Sequence, residues 1–274
     1  MNSIILDSIL SYSFMQRALI AIILIAFILP VLGVNVVTKR LSMIGDTISH
    51  TSLCGIAIGL ASATLPIYMA IIASIIAGVI IEIIRNKFNK FSEVALSIVL
   101  SLSIAITSIL TKFASGNRFE SYLFGSIISI DRNSIYVLID IFFIDIIYFL
   151  ATYKINLAIG YNEKEAKASG LNVGFFNVLN MIIISASVAI CSVTIGTLLV
   201  SSLLVIPVAC SLKLVKKYSL TYIIAIIISL FMQLFGLFLS YFLNINTGGT
   251  IVLVGIFIFF LILLYKFIKN KLKR

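Results

Sequence analysis

The chain is 274 residues long, 61% hydrophobic and 11% charged, with a formal net charge of +10 and a mean hydropathy of +1.22. A water-soluble core of this size cannot absorb that much apolar surface, which excludes a soluble globular protein. The basic residues lie in short clusters between apolar runs, which is the positive-inside pattern of a membrane protein and not a nucleic-acid-binding face.

Apolar runs close to the ~20 residues of a bilayer-spanning helix recur from end to end. The chain therefore reads as all-α: a polytopic helical membrane protein with one transmembrane domain over residues 1–274 and about nine spans, within a range of eight to ten. Span 1 covers about 17–37 and contains Pro30 and Gly33, so a kink is expected. The residues before it lack a basic n-region and a small-residue cleavage site, which makes this run a retained span and not a signal peptide. Lys39 and Arg40 end it. Span 2, about 43–62, carries Asp46 and His50 and closes near Thr64–Pro66. Span 3 covers about 66–84 and is followed by Arg85, Lys87 and Lys90; span 4 covers about 94–112. Residues 114–133, with Tyr122–Ser126 inside them, are too broken by Gly and Ser for a span and suit a re-entrant or interfacial piece.

Span 5 is expected over about 134–152, ending at Lys154. The longest polar stretch follows, about 160–172. Asn162 can cap a short helix there, Glu163 and Glu165 lie in its first turn, and Gly170 can terminate it. Such a stretch is either an ordinary solvated connection or a helix that docks on a partner subunit. Residues 175–212 are too long for one span and divide at Thr194–Thr197 into spans 6 and 7, with Pro207 inside the second and Lys213, Lys216 and Lys217 after it. Span 8 covers about 219–242, Asn244–Gly249 is a turn, and span 9 covers about 250–267 before a basic tail.

Placing the clusters at 39–40, 85–90, 154–167, 213–217 and 266–274 on one side of the membrane gathers 16 of the 20 Lys and Arg there; Arg17, Lys112, Arg118 and Arg132 remain opposite. That asymmetry predicts an external N-terminus, a cytoplasmic C-terminus and nine crossings. His50, the single histidine, then lies ten residues from the inner boundary at Arg40, about 15 Å along a helix and so near the midplane. Asp46, four residues earlier, shares its face.

A carboxylate and an imidazole buried in lipid are costly and normally mark a pathway or site. Together they are a donor pair for Zn²⁺, Mn²⁺ or Fe²⁺, although two groups that merely bond to each other would also fit. A twofold dimer would bring two Asp46 and two His50 together, the four ligands usual for zinc. Cys54, one turn further on, is a further candidate ligand or a packing residue. Asp140 and Asp145 are additional carboxylates within a span that could line the route, bind cations from outside or snorkel toward a polar neighbour, Asp140 being a further candidate metal residue, while Glu82 and Glu93 are expected to pair locally with neighbouring cations. Cys54, Cys191 and Cys210 are scattered and suggest no disulfide framework. There is no P-loop, G-x-S-x-G or H-E-x-x-H pattern. The chain is thus not expected to be an enzyme, and any driving energy comes from an ion gradient or another subunit.

Four stretches carry a family resemblance. Gly45-Asp46-Thr47-Ile48-Ser49-His50 matches a G-D-x-[IL]-x-H signature, and Leu123-Phe124-Gly125-Ser126-Ile127 resembles an L-F-G-x-[IL] segment. Glu165-Ala166-Lys167-Ala168-Ser169-Gly170-Leu171 resembles an E-x-A-x-A-x-G loop, and Leu198–Pro207 with Thr250–Val254 resembles the final blocks. In this order they resemble the permease subunit of bacterial ATP-binding-cassette importers for zinc, manganese or iron, metal-permease family three.

The resemblance implies the importer-permease fold, a homodimer in the lipid of the bacterial cytoplasmic membrane, no permanently bound cofactor, and a transported divalent metal. It also implies an ATP-binding subunit docked on a coupling helix that includes Glu163, Glu165, Ala166, Ala168 and Gly170, and an extracellular metal-binding protein as donor. Asp46 and His50 inherit the pathway role. Many manganese and iron members read S-H-x-x-L-P-G where this chain has Ser49-His50-Thr51-Ser52-Leu53-Cys54-Gly55, so the pattern leans toward the zinc branch, and a Cys54 thiolate would favour zinc. A gradient-driven secondary carrier, or a permease for another small ligand, is the alternative.

Overall fold

In a computed structural model of the chain, residues 12–87, 92–112, 130 and 132–272 are described. The expected re-entrant piece around Tyr122–Ser126, with the Leu123–Ile127 block, lies outside them. Ten helices and no strand occur among the described residues: α1 (Ser13–Thr38), α2 (Ile44–Ala61), α3 (Pro66–Lys87), α4 (Ser92–Leu110), α5 (Arg132–Tyr161), α6 (Glu163–Ala168), α7 (Val173–Ile195), α8 (Thr197–Leu214), α9 (Tyr218–Leu243) and α10 (Thr247–Leu272). Nine are long and α6 is short. Eight of the long helices have the length and apolarity to cross a membrane. The ninth, α2, is less apolar because Asp46, Thr47, Ser49, His50, Thr51 and Ser52 occupy consecutive turns of it.

The described helices start and stop close to the expected boundaries, with two instructive differences. α5 does not end at Lys154 but continues to Tyr161, 30 residues in all. Lys154 is exposed, and a snorkelling lysine marks a boundary without breaking a helix. The real stop is Asn162, whose extended backbone opens the next helix. At about 1.5 Å per residue α5 is about 45 Å long, longer than a ~30 Å hydrocarbon core. The second difference is α10, which begins at Thr247 inside the expected turn. The Asn246 side-chain oxygen accepts from the backbone N–H of Gly248 at 2.9 Å and of Gly249 at 3.2 Å. Capping of these first-turn amides outweighs the helix-breaking tendency of the two glycines.

α1 is buried over most of its length, Pro30 included, and packs against α5, α8 and α9. Its C-terminal end is tied to the start of α9 by Tyr218 and Tyr222, whose hydroxyls donate to Asn35 Oδ1 at 3.2 and 3.1 Å. α2 is enclosed by α3, α4, α7 and α8. α10 lies on the outside, with Phe257, Phe260, Leu261 and Leu264 exposed, as a lipid-facing helix requires.

The α1–α2 connection is a five-residue turn. Leu41 N–H donates to Val36 O at 3.0 Å and Arg40 N–H to Val37 O at 3.1 Å, the paired bonds of a Schellman motif. Arg40 holds the left-handed position, φ 58°, where glycine is usual.

Candidate functional site

The polar residues of α2 are what seat it. Thr47 Oγ1 donates back to Met43 O at 3.0 Å and Thr51 Oγ1 to Thr47 O at 2.6 Å, the local pairing that lets hydroxyls sit inside an apolar bundle. Thr51 also bonds Ser103 of α4 at 3.1 Å, and Ser52 bonds Ser192 of α7 at 2.7 Å. On the α3 side the helices touch backbone to backbone: a side chain at Gly55 would lie 2.6 Å from Ala70 Cα.

With these sides occupied, Asp46 and His50 share the remaining face, and both are half-buried. Among the described residues no hydrogen bond joins them to each other or to a third side chain. The two groups lie one turn apart, with the Asp46 charge acting on the His50 imidazole.

The other candidates are elsewhere. Cys54 is buried and bonded to Thr107 of α4, so it faces a neighbouring helix. Asp140 is exposed on α5. Asp145 is 2% exposed, and Ser187 Oγ of α7 lies 2.9 Å from both its oxygens, so it is a buried interhelical contact. Among the described residues no three His, Cys, Asp or Glu side chains converge in a way that could hold a metal ion. One chain thus offers two donors on one face, which by itself is an incomplete set for a transition metal.

The polar stretch folds as its residues suggested. The Asn162 side chain accepts from Lys164 N–H at 3.1 Å and its amide donates to Glu165 Oε1 at 2.6 Å, closing the N-terminus of α6. Gly170, φ +88°, ends it, with Leu171 N–H returning to Ala166 O at 3.3 Å. Ala166 is buried in a small cluster with Ile159 and Val173, which fixes α6 across the end of α5 and the start of α7. Glu163, Glu165 and Ala168 remain exposed.

A polar cluster that sequence reasoning did not find lies beneath α6. Lys39 Nζ donates to Asn177 Oδ1 of α7 at 2.7 Å. Asn177 Nδ2 donates to Glu163 Oε1 of α6 at 2.5 Å. Arg85 of α3 pairs with Glu82 at 2.7 Å and lies 3.7 Å from Glu163 Oε1. Burial, and then the nearby Arg85 charge, lower the Lys39 ammonium to about 8. The expected local pairing of Glu82 is present, yet Glu82 is 1% exposed and not a surface residue. Glu93 is exposed. The interspersed basic residues signalled the membrane boundary but carried no sign that three of the helix ends would meet.

Eight long helices with a ninth, polar and donor-bearing α2, packed among them, and a short helix across one end, are the build of a membrane transport domain. Residues 11–266 match the ABC 3 transport family, and the chain belongs to that family. It is 32% identical to a "Probable metal transport system membrane protein" of Treponema pallidum (strain Nichols), covering 93% of this chain and 96% of that one. It is 30% identical to the "Manganese transport system membrane protein MntC" of Listeria monocytogenes, covering 95% and 93%. The fold matches the solved structure "PsaBC from Streptococcus pneumoniae in complex with Fab" with a TM-score of 0.85 at 24% identity, over 96% of this chain and 95% of that one.

Proposed function

We propose that this chain is the permease subunit through which a divalent transition metal enters a bacterial cell across the cytoplasmic membrane, with Asp46 and His50 as the donors that hold it at half depth. The observation that carries this reading is the uncommitted Asp46/His50 face on a helix otherwise packed on every side. Two donors per chain leave the coordination open, so the working unit is a twofold dimer in which each copy supplies one Asp46 and one His50. The 160–172 segment, centred on α6, is the coupling element on which an ATP-binding subunit docks. ATP-driven closure then moves the helices around the site from outward-open to inward-open, and an extracellular metal-binding protein delivers the ion. The C-terminus is cytoplasmic, on the α6 side.

Carboxylate and imidazole donors without a thiolate suit manganese, the metal in the name of the Listeria relative. A four-donor Asp₂His₂ set is what favours zinc as the second reading. The test is His50→Ala with surface expression verified, followed by uptake of Mn²⁺ and of Zn²⁺. Loss of a direct ligand should lower uptake by at least the roughly tenfold that outer-shell changes already cause. Undiminished uptake of both metals removes the assignment, and the metal whose uptake collapses identifies the cargo.

A further inference from the structure

The polar cluster beneath α6 joins the coupling element to the metal-site helix, and its construction is that of a joint and not of a buried brace. Among the described residues, Glu163 is the only α6 side chain with a polar contact into the bundle: Asn162, Glu165 and Ser169 bond within the α6 segment itself. Among the described residues the apolar seat of α6 rests on α5 and α7, and Glu163 is its polar connection toward α3 and α1.

From Glu163 the contacts run two ways. One goes through Asn177 to Lys39, the residue that closes α1 and begins the turn into α2. The other goes to Arg85, itself anchored to buried Glu82. The turn after Lys39 is short and doubly hydrogen-bonded, and Leu41 and Ile44 beyond it are buried. Displacement of Lys39 therefore reaches the first turn of α2, where Asp46 lies.

The two halves of the cluster differ in strength. Glu82 and Arg85 are enclosed, with side-chain exposures of 1% and 11%, at 2.7 Å. Glu163 is 52% exposed and 3.7 Å from Arg85. A half-solvated pair at that separation is weak and easily parted, whereas breaking an enclosed one strands a charge. Beneath it lies a cavity of about 10 Å³ lined by Lys39, Glu82, Arg85, Asn177 and Asn180, with Arg85 Nε and Asn180 Oδ1 buried and unpartnered among the described residues. It has room for about one water, so the joint is not locked by close packing.

We propose that Glu163, Asn177, Lys39 and the Arg85–Glu82 pair form a releasable electrostatic clasp that transmits movement of α6 to the α1–α2 turn and so to Asp46 and His50. Glu163 and Lys39 are positioning residues: they touch neither metal nor nucleotide, and they set how tightly ATP hydrolysis is linked to metal movement. This inference rests on α6 being the element on which the ATP-binding subunit docks.

The test uses the permease assembled with its ATP-binding subunit in proteoliposomes, with Mn²⁺ as the probe and the ratio of Mn²⁺ moved to ATP hydrolysed as the readout. Glu163→Gln keeps an acceptor for Asn177 and removes only the charge. Lys39→Met removes the donor, and Lys39→Arg keeps both donor and charge. The expected result is a ratio lowered roughly fivefold, the low end of usual coupling between sites, in Glu163→Gln and in Lys39→Met. Lys39→Arg stays near wild type, and the double variant Glu163→Gln/Lys39→Met falls no further than either single one.

An unchanged ratio in Glu163→Gln, or independent losses that multiply in the double variant, overturns the clasp. A general weakening of the fold lowers uptake and hydrolysis together and also fails Lys39→Arg, which counts against the clasp as well. The docking assignment is checked separately by replacing Glu163–Ala168 with Gly-Ser residues. If the ATP-binding subunit stays bound, α6 is not its dock; if the subunit is lost while Glu163→Gln remains fully coupled, docking stands and the clasp alone falls.

Discussion

At the scale of single residues, placement decides what each charged group is for. Asp46 and His50 are half-buried and uncommitted, while Asp145, an equally conspicuous carboxylate in the sequence, is consumed by Ser187. With the metal held by an ionised carboxylate and a neutral imidazole, as proposed, uptake by the wild-type complex should weaken as the external medium is acidified; a flat pH profile of uptake at constant ATP would count against it.

Lys39 makes a second pH prediction. Its ammonium is lowered from the ordinary 10.5 to about 8, so holding the charge costs the folded state its full penalty below pH 8. Between pH 8 and 10.5 the unfolded chain binds more protons than the folded one, and stability rises with pH across that window. Thermal melting in detergent should show this contribution in wild type and lose it in Lys39→Met. Arg40 is a residue-scale case of strain: a left-handed arginine costs roughly 1 kcal/mol, and Arg40→Gly should melt no lower than wild type and up to a few degrees higher.

At the scale of elements, α2 is defined by contrast with its neighbours. Among the described long helices it alone falls short of the apolarity of a membrane span, and hydroxyl pairs join it to α4 and α7 beside its apolar contacts. Its contact with α3 depends on Gly55 having no side chain. Gly55→Leu forces α2 and α3 apart and should cost at least the 1–3 kcal/mol of an overpacked core, read as lost detergent-stable protein, with the site helix displaced and uptake abolished. For α6 the ends matter more than the middle. Six residues do not sustain a helix alone, so the Asn162 cap and the Gly170 stop hold it. Asn162→Ala should remove about 1 kcal/mol of local stability and appear as faster backbone hydrogen exchange over residues 163–168, with the spanning helices unchanged.

At the scale of the whole molecule, one chain builds half of what transport needs. Its candidate donors number two on one face, and among the described residues no third joins them; α6, the proposed coupling element, lies at the bundle end where α1, α3, α5 and α7 have their turns. In the proposed assembly a dimer would complete the first, and a nucleotide-hydrolysing partner would supply work through the second. Cross-linking or native mass measurement in mild detergent should give two copies per assembly, and a monomer that still transports metal would contradict the shared site.

Much of this was readable from the chain itself. Spans are set by where apolar runs meet basic clusters and caps, and those are local properties: the cap at Asn162 comes from its side chain, and the stops at Gly196 and Gly170 from the positive φ that a residue without Cβ adopts freely. The Asp46/His50 pair was equally visible, because four-residue spacing puts two groups on one face of any helix. The end of α5 was misplaced by seven residues because a lysine at a membrane boundary and a lysine at a helix end look alike in sequence. The commitments of Cys54 to Thr107, Asp145 to Ser187 and Lys39 to Asn177 to Glu163 depend on which helices lie side by side. Partners separated by 14 to 138 residues and lying on different helices leave no periodic trace, since nothing in the spacing along one helix records the rotation of its neighbour. Local chemistry fixed the helices and the polar groups they carry; only packing determined which of those groups, among the described residues, were used up in contacts between helices.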